Sequence, residues 1–192
     1  LEARALMTLA SARPREWLIA HGPDTVEPDL RERFEGLVRR RRDGEPIAYL
    51  AGSREFHALR FEVGPAVLIP RPETEQLVDL VIDLAPPGAS VLDLGTGSGA
   101  IAVSVAHARP DLRLTATDRS PESLEIARRN AQALLGEAGA KRVAWFAGSW
   151  WAALPPEATF DVIVSNPPYI AETDPHLAEG DLRFEPRAAL AA

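Results

Sequence analysis

From Ala89 onward the chain alternates short apolar runs with stretches of helical periodicity, and this alternation restricts the fold more than any other feature. Val91-Leu92-Asp93-Leu94 reads as a strand, Ser98 to Ala108 as a helix carrying Ile101, Val105 and Ala106, and Leu112 to Thr117 as a second strand. Ser120 followed by Pro121 marks a helix start, because a serine hydroxyl can satisfy a free N–H and proline tolerates the first turn. That helix is expected to run to about Leu135, and Arg142 to Phe146 and Phe160 to Ser165 read as a third and fourth strand. Strands interleaved with helices pair in parallel through right-handed crossovers, so the expected fold is α/β, a doubly wound sheet. Ligands of such sheets sit at the carboxyl ends of the strands. Asp93, Asp118, Trp150 and Asn166 all fall at or just after such ends.

The first part of the chain has a different rhythm. Residues 1–45 read as helices: Leu6, Leu9 and Ala10 share a face, and Leu30, Phe34, Leu37 and Val38 recur at helical spacing. The run Arg39-Arg40-Arg41-Arg42 closes the last of these helices, where cations favour the negative end of the dipole, and Gly44 stops it. Residues 46–70 alternate strand formers (Phe56, Leu59, Phe61, Val63, then Val67, Leu68, Ile69) around Gly64-Pro65 and predict a β-hairpin linker. From Pro72 a helix with the stripe Leu77, Val78, Val81, Ile82 and Leu84 opens the main domain, residues 71–192.

Composition narrows the function classes. The net charge of −7 argues against a nucleic-acid partner, which normally meets a basic face. Without cysteine there are no disulfides, thiolate zinc sites or cysteine nucleophiles, and the four histidines lack metal-ligand spacing, so no metal is expected. No stretch approaches the roughly 18 apolar residues that span a membrane. Cytoplasm and a monomer are the expectations. The start at Leu1-Glu2-Ala3-Arg4 is neither a signal peptide nor an initiator methionine, so a longer product is expected.

Two motifs carry chemistry. Asp93-Leu94-Gly95-Thr96-Gly97-Ser98-Gly99-Ala100 joins the first strand to its helix, and its glycines permit a tight turn and close approach of a ligand. Asp118 follows Gly95 by 23 residues, at the end of the second strand, where an acid can accept hydrogen bonds from ribose hydroxyls. The loop alone fits either a nicotinamide cofactor or S-adenosyl-L-methionine (AdoMet). Asp93 ahead of the first glycine, and the residues that end the fourth strand, favour AdoMet. Trp150 or Trp151 offers a flat face for adenine, although Ser149 stands where an adenine-binding acid is common. The second motif is Asn166-Pro167-Pro168-Tyr169. Its prolines donate no backbone hydrogen bond and fix φ, so they stop the strand and stiffen its end. Asn166 places there a carboxamide that donates and accepts, and Tyr169 adds a ring, a combination suited to gripping a planar nitrogen group.

Arg42-Asp43-Gly44-Glu45-Pro46-Ile47-Ala48-Tyr49-Leu50, Leu68-Ile69-Pro70-Arg71-Pro72-Glu73-Thr74-Glu75, the glycine loop, Ser165-Asn166-Pro167-Pro168-Tyr169-Ile170 and Arg183-Phe184-Glu185-Pro186 occur in that order. Together they resemble the peptide chain release factor glutamine methyltransferases, the PrmC/HemK family. Asn-Pro-Pro-Tyr alone is shared with adenine-N6 methyltransferases; the combination with Ile-Pro-Arg-Pro-Glu-Thr-Glu is far more specific. The resemblance implies a Rossmann-like class I methyltransferase sheet behind a small helical domain that binds release factor. It also implies AdoMet as donor and, as substrate, the glutamine of the Gly-Gly-Gln motif of class 1 release factors, methylated at N5. Carried over, the cofactor contacts fall on Gly95, Thr96, Gly97, Ser98, Gly99, Asp118, Trp150 and Asn166. Substrate contacts fall on Asn166, Pro167, Pro168 and Tyr169, with Asn166, Pro167 and Tyr169 catalytic. Arg71 and Glu185 either shape the substrate channel or form a structural salt bridge. Relative to the family, the first part of the helical domain and the closing strands of the sheet are expected to lie outside these 192 residues, which would leave a sheet edge and apolar helix faces uncovered.

Overall fold

The computed structural model describes residues 2–191. Three helices come first: α1 (Glu2–Ser11), α2 (Arg15–Ala20) and α3 (Pro28–Arg42). Pro28 occupies the first turn of α3 and the four arginines its last turn, as expected from the helix dipole. A short α4 (Ile47–Ala51) follows, started after Pro46 and ended by Gly52 in the left-handed region. No helix among the described residues is long and apolar enough to cross a membrane.

The linker between 46 and 70 differs from its expected form. The hairpin is confined to β1 (Ser53–Phe56) and β2 (Leu59–Glu62) and turns at His57-Ala58, both with positive φ, rather than at Gly64-Pro65. Val67-Leu68-Ile69 is not a strand: the Val67 N–H closes a turn onto the Gly64 carbonyl, and the Val67 carbonyl and Ile69 N–H are met by side chains instead of a ladder. The buried Tyr49 hydroxyl donates to the Val67 carbonyl at 2.7 Å. Ser123 donates to the Ala66 carbonyl at 2.9 Å, and the Ile69 N–H donates to the Glu185 carboxylate at 2.9 Å. Val67 and Ile69 are buried with Tyr49, Val63 and Ile126 in a small core of their own.

The main domain is a four-stranded sheet of β3 (Ser90–Leu94), β4 (Arg113–Asp118), β5 (Val143–Ala147) and β6 (Val162–Ser165). All pair in parallel, in the order β5-β4-β3-β6, which is the doubly wound topology that the alternation predicts. The helices are α5 (Glu75–Leu84), entered through a 3-10 turn at Pro72–Thr74, then α6 (Ala100–Ala108) and α7 (Pro121–Ala140). Helix α6 is buried from Ala100 to Ala106 between the sheet, α5 and α7. Burial of Val91, Val103, Val105, Leu112 and Leu114 against one another contributes about 1.5–3 kcal/mol per side chain. Ser120 caps α7 through the Ser123 N–H, and Gly136 breaks its regular geometry (φ 68°, ψ 178°), next to the expected end at Leu135. Beyond β6 the chain forms turns and a short α8 (Arg187–Leu190), which returns beside Ile170. Among the described residues β6 has no outer neighbour, and Ile163, Leu80 and Leu84 are exposed.

Two buried polar side chains hold the glycine loop. Asn130 of α7 accepts from the Glu62 N–H at 2.7 Å and donates to the Glu62 carbonyl at 3.0 Å and the Ser98 carbonyl at 2.9 Å. It therefore clips the hairpin and the loop to one helix. Asp93, fully buried at the end of β3, accepts from the Thr96 hydroxyl at 2.6 Å and from the Ala102 N–H at 3.2 Å. Its other oxygen has no hydrogen-bond partner. Burial pushes the Asp93 carboxyl up to about 6, against the two hydrogen bonds and with help from the Asp118 charge. Asn130→Ala strands these groups and is expected to lower the unfolding free energy by about 2–4 kcal/mol, read from urea denaturation. For Asp93 the folded state holds a proton that the unfolded state releases, so its contribution favours folding at low pH and is lost as pH rises from about 4 to about 6. The unfolding free energy of wild type minus that of Asp93→Asn should therefore fall by on the order of 3 kcal/mol between pH 4 and 7. A pH-independent difference would refute the buried-carboxyl assignment.

Candidate active site

The strand register builds the site. Leu94 of β3 pairs with Thr117 of β4 on one side and with Ser165 of β6 on the other. The residues one step further on, Gly95, Asp118 and Asn166, therefore leave the sheet side by side. Ser165 strengthens this row by donating its hydroxyl to the Leu94 carbonyl at 2.8 Å. A cleft of about 440 Å³ opens above it, lined by Gly95, Gly97, Asp118, Ser149, Trp150 and Asn166, with the linker residues Ala66 to Leu68 and the segment Pro186 to Ala189 as further walls.

The glycine loop and Asp118 form one unit. The Gly95 and Thr96 N–H groups both donate to the Thr117 carbonyl at 2.9 Å. Asp118 accepts from the Gly97 N–H at 2.8 Å through one oxygen and from the Ser120 N–H at 2.9 Å through the other. Each carboxylate oxygen keeps a lone pair for a ligand hydroxyl. Gly95 and Gly97 have positive φ and nothing within 4 Å of a would-be β-carbon, so they present bare backbone to the cleft. Thr96, Ser98 and Gly99 do not line it. The Thr96 hydroxyl is committed to Asp93, the Ser98 carbonyl to Asn130, and a β-carbon on Gly99 would press on Ala127 at 3.1 Å. These three shape the loop from behind.

Of the two candidate tryptophans, Trp150 lines the cleft, with a φ of +50° that is unusual for a bulky residue. Trp151 packs edge-on against Phe160 and does not line it.

Asn166 borders two cavities. The second, of about 290 Å³, is lined by Arg71, Glu73, Thr74, Leu77, Asn166 and Tyr169. The Asn166 side-chain nitrogen donates to the Thr74 hydroxyl at 3.1 Å. Pro167 and Pro168 line the first cleft, whereas Tyr169 lines only the second and is 78% exposed. The Glu185 carboxylate, buried, bonds the Arg71 guanidinium at 2.5 Å and the Ile69 N–H. Of the two expected readings of this pair, the salt bridge is present, and it anchors the segment that carries Thr74. Arg71 also faces the second cavity. Sequence reasoning overlooked Thr74, Ser165 and Asn130; the first two stand in quoted motifs and Asn130 in the helix after Pro121, but the distant partner that makes each one matter was not visible.

The donor set fits AdoMet. The cleft falls in the ~300–1,000 Å³ range of small-molecule sites. It combines exposed glycine backbone, an oriented carboxylate and an indole, which suit a chain that must pass close to backbone, a ribose and an adenine respectively. Among the described residues no group of His, Asp and Glu could hold a metal ion.

Comparison with known proteins identifies the family. Residues 74–180 match the family described as methyltransferase small domain, and residues 1–52 match the PrmC N-terminal domain. The release factor glutamine methyltransferase of Burkholderia pseudomallei is 54% identical over 99% of this chain and 68% of its own length. That of Bordetella pertussis is 53% identical over 99% and 69%, and that of Escherichia coli 45% identical over 100% and 68%. Among solved structures, Trm5b from Pyrococcus abyssi aligns with 62% of this chain and 34% of its own at a TM-score of 0.49 and 20% identity. At about half identity across nearly its whole length, with both family domains matched in order, the chain belongs to the AdoMet-dependent release factor glutamine methyltransferases.

Proposed function

We propose that this protein transfers the methyl group of AdoMet to the side-chain amide nitrogen, N5, of the glutamine in the Gly-Gly-Gln motif of class 1 peptide chain release factors, and so modulates translation termination. The observation that carries this reading is the position of Asn166, whose carboxamide stands between a cofactor-sized cleft and a second cavity with its nitrogen already engaged by Thr74. The oxygen is left for the substrate.

Bound AdoMet supplies an electrophilic methyl on a sulfonium sulfur. Asp118 holds the ribose hydroxyls, Trp150 flanks the adenine, and Gly95 and Gly97 admit the ligand close to the backbone. The glutamine side chain enters from the second cavity. An amide nitrogen is a poor nucleophile because its lone pair is delocalised, so the site works by orientation. The Asn166 oxygen accepts one N–H of the substrate, the Pro167 carbonyl accepts the other, and Tyr169 lies against the amide plane. Positioning of this kind can lower a barrier by up to ~7–11 kcal/mol. Acceptors aimed at a nitrogen that is becoming positive stabilise the transition state further. The N5–CH3 bond forms as the S–CH3 bond breaks, the sulfur keeps the electron pair and leaves as S-adenosyl-L-homocysteine, and the surplus proton on the nitrogen passes to solvent water, so no histidine is required. The acidic balance of the chain supports a protein rather than a nucleic-acid substrate. The helical residues at the start, which match the N-terminal family domain, are the proposed contact surface for the release factor.

Asn166→Ala is expected to lower kcat for release-factor methylation by about 10²-fold or more while leaving most of the AdoMet affinity, measured by calorimetry. A variant that methylates at the wild-type rate would contradict the assignment.

A further inference from the structure

Thr74 closes the 3-10 turn Pro72–Thr74 that leads into α5 and has helical backbone angles (φ −69°, ψ −19°). The chain enters that turn from the extended Arg71, so the helical start lies ahead of Thr74, and the Thr74 side chain makes no capping bond. The hydroxyl, on a residue only 9% exposed, instead accepts the Asn166 side-chain N–H across a separation of 92 residues. The turn that presents it is held in two ways. The Thr74 N–H donates to the Arg71 carbonyl at 3.0 Å, and Arg71 is fixed by the buried Glu185 carboxylate, which also holds the Ile69 N–H.

We infer that Thr74 is a positioning residue for the methyl transfer: by accepting the Asn166 side-chain N–H it fixes the rotation of that carboxamide, so that its oxygen faces the incoming amide. A carboxamide about its last torsion is broad and roughly two-fold, so without a partner on the nitrogen the donor and acceptor ends exchange. With the nitrogen turned to the substrate, two N–H groups would oppose each other and the grip would be lost. Thr74 removes that alternative. Because the hydroxyl does not cap α5, its loss leaves the helix intact, and the effect falls on catalysis. This deepens the proposed function and rests on the role of Asn166 in it.

The test compares wild type, Thr74→Val and Thr74→Ser. Thr74→Val is isosteric and should melt within a few degrees of wild type, bind AdoMet within about 3-fold, and methylate release factor with a kcat lower by ~10–100-fold and a KM little changed. Thr74→Ser restores the hydroxyl and should recover most of the rate. In ¹⁵N-labelled protein the Asn166 side-chain amide resonances should move in Thr74→Val and stay near their wild-type positions in Thr74→Ser. A wild-type kcat in Thr74→Val, equal losses in both variants, or failure of Thr74→Val to fold would overturn the inference. Inactive wild-type protein would instead remove the proposed function. The Asn166 resonances still decide the contact in that case, since an unmoved amide signal in Thr74→Val overturns it without any turnover.

Discussion

The parallel pairing of β3 with both of its neighbours is the constraint on which the site depends. Leu94 is level with Thr117 and with Ser165, so the glycine loop, Asp118 and Asn166 all emerge from one row. A shift of one residue in either pairing would turn every side chain of that strand to the opposite face and separate Asn166 from Asp118. The register is secured by the buried apolar residues of β3 and by polar ties at its end. Two loop N–H groups share the Thr117 carbonyl, Gly97 donates to Asp118, and Ser165 donates to Leu94. These bonds let a glycine-rich loop, costly to order for entropic reasons, stay in one conformation.

The same end of the sheet is braced from outside by residues far away in sequence. Asn130 joins β2, α7 and the loop, while Glu185 draws in Ile69 and Arg71 and thereby sets the turn that ends in Thr74. Arg183 donates to the Asp43 carbonyl and Arg41 bridges Glu2 and Asp181, so the segment that carries Glu185 is also tied to the helical part of the chain. A change at Glu185 thus reaches both cavities through backbone it fixes. It need not touch a ligand.

Much of this was legible in the sequence where one local signal sufficed. The switch between strand and helix periods located all four parallel strands, Ser120-Pro121 located the start of α7, and Asn166-Pro167-Pro168 located the end of β6. Short or tertiary features were not legible. Helix α4 has five residues, too few for a period to show. Val67 to Ile69 looked like a strand because it is apolar, but its hydrogen bonds close a turn onto Gly64 and run to the Tyr49 and Glu185 side chains. The glycine motif reads as one block, yet only folding separates Gly95 and Gly97, which face the cleft, from Thr96, Ser98 and Gly99, which lie behind it. The bond from Asn166 to Thr74 joins two motifs that sequence places 92 residues apart.

In the proposed reaction the two cavities bring a sulfonium methyl and a protein glutamine amide together at Asn166. The most direct measurement is tandem mass spectrometry of a class 1 release factor after incubation with this protein and AdoMet. The expected product carries a single added methyl on the side-chain nitrogen of the Gly-Gly-Gln glutamine, absent when AdoMet is omitted. An unmodified glutamine, or a methyl placed on another residue, would contradict it.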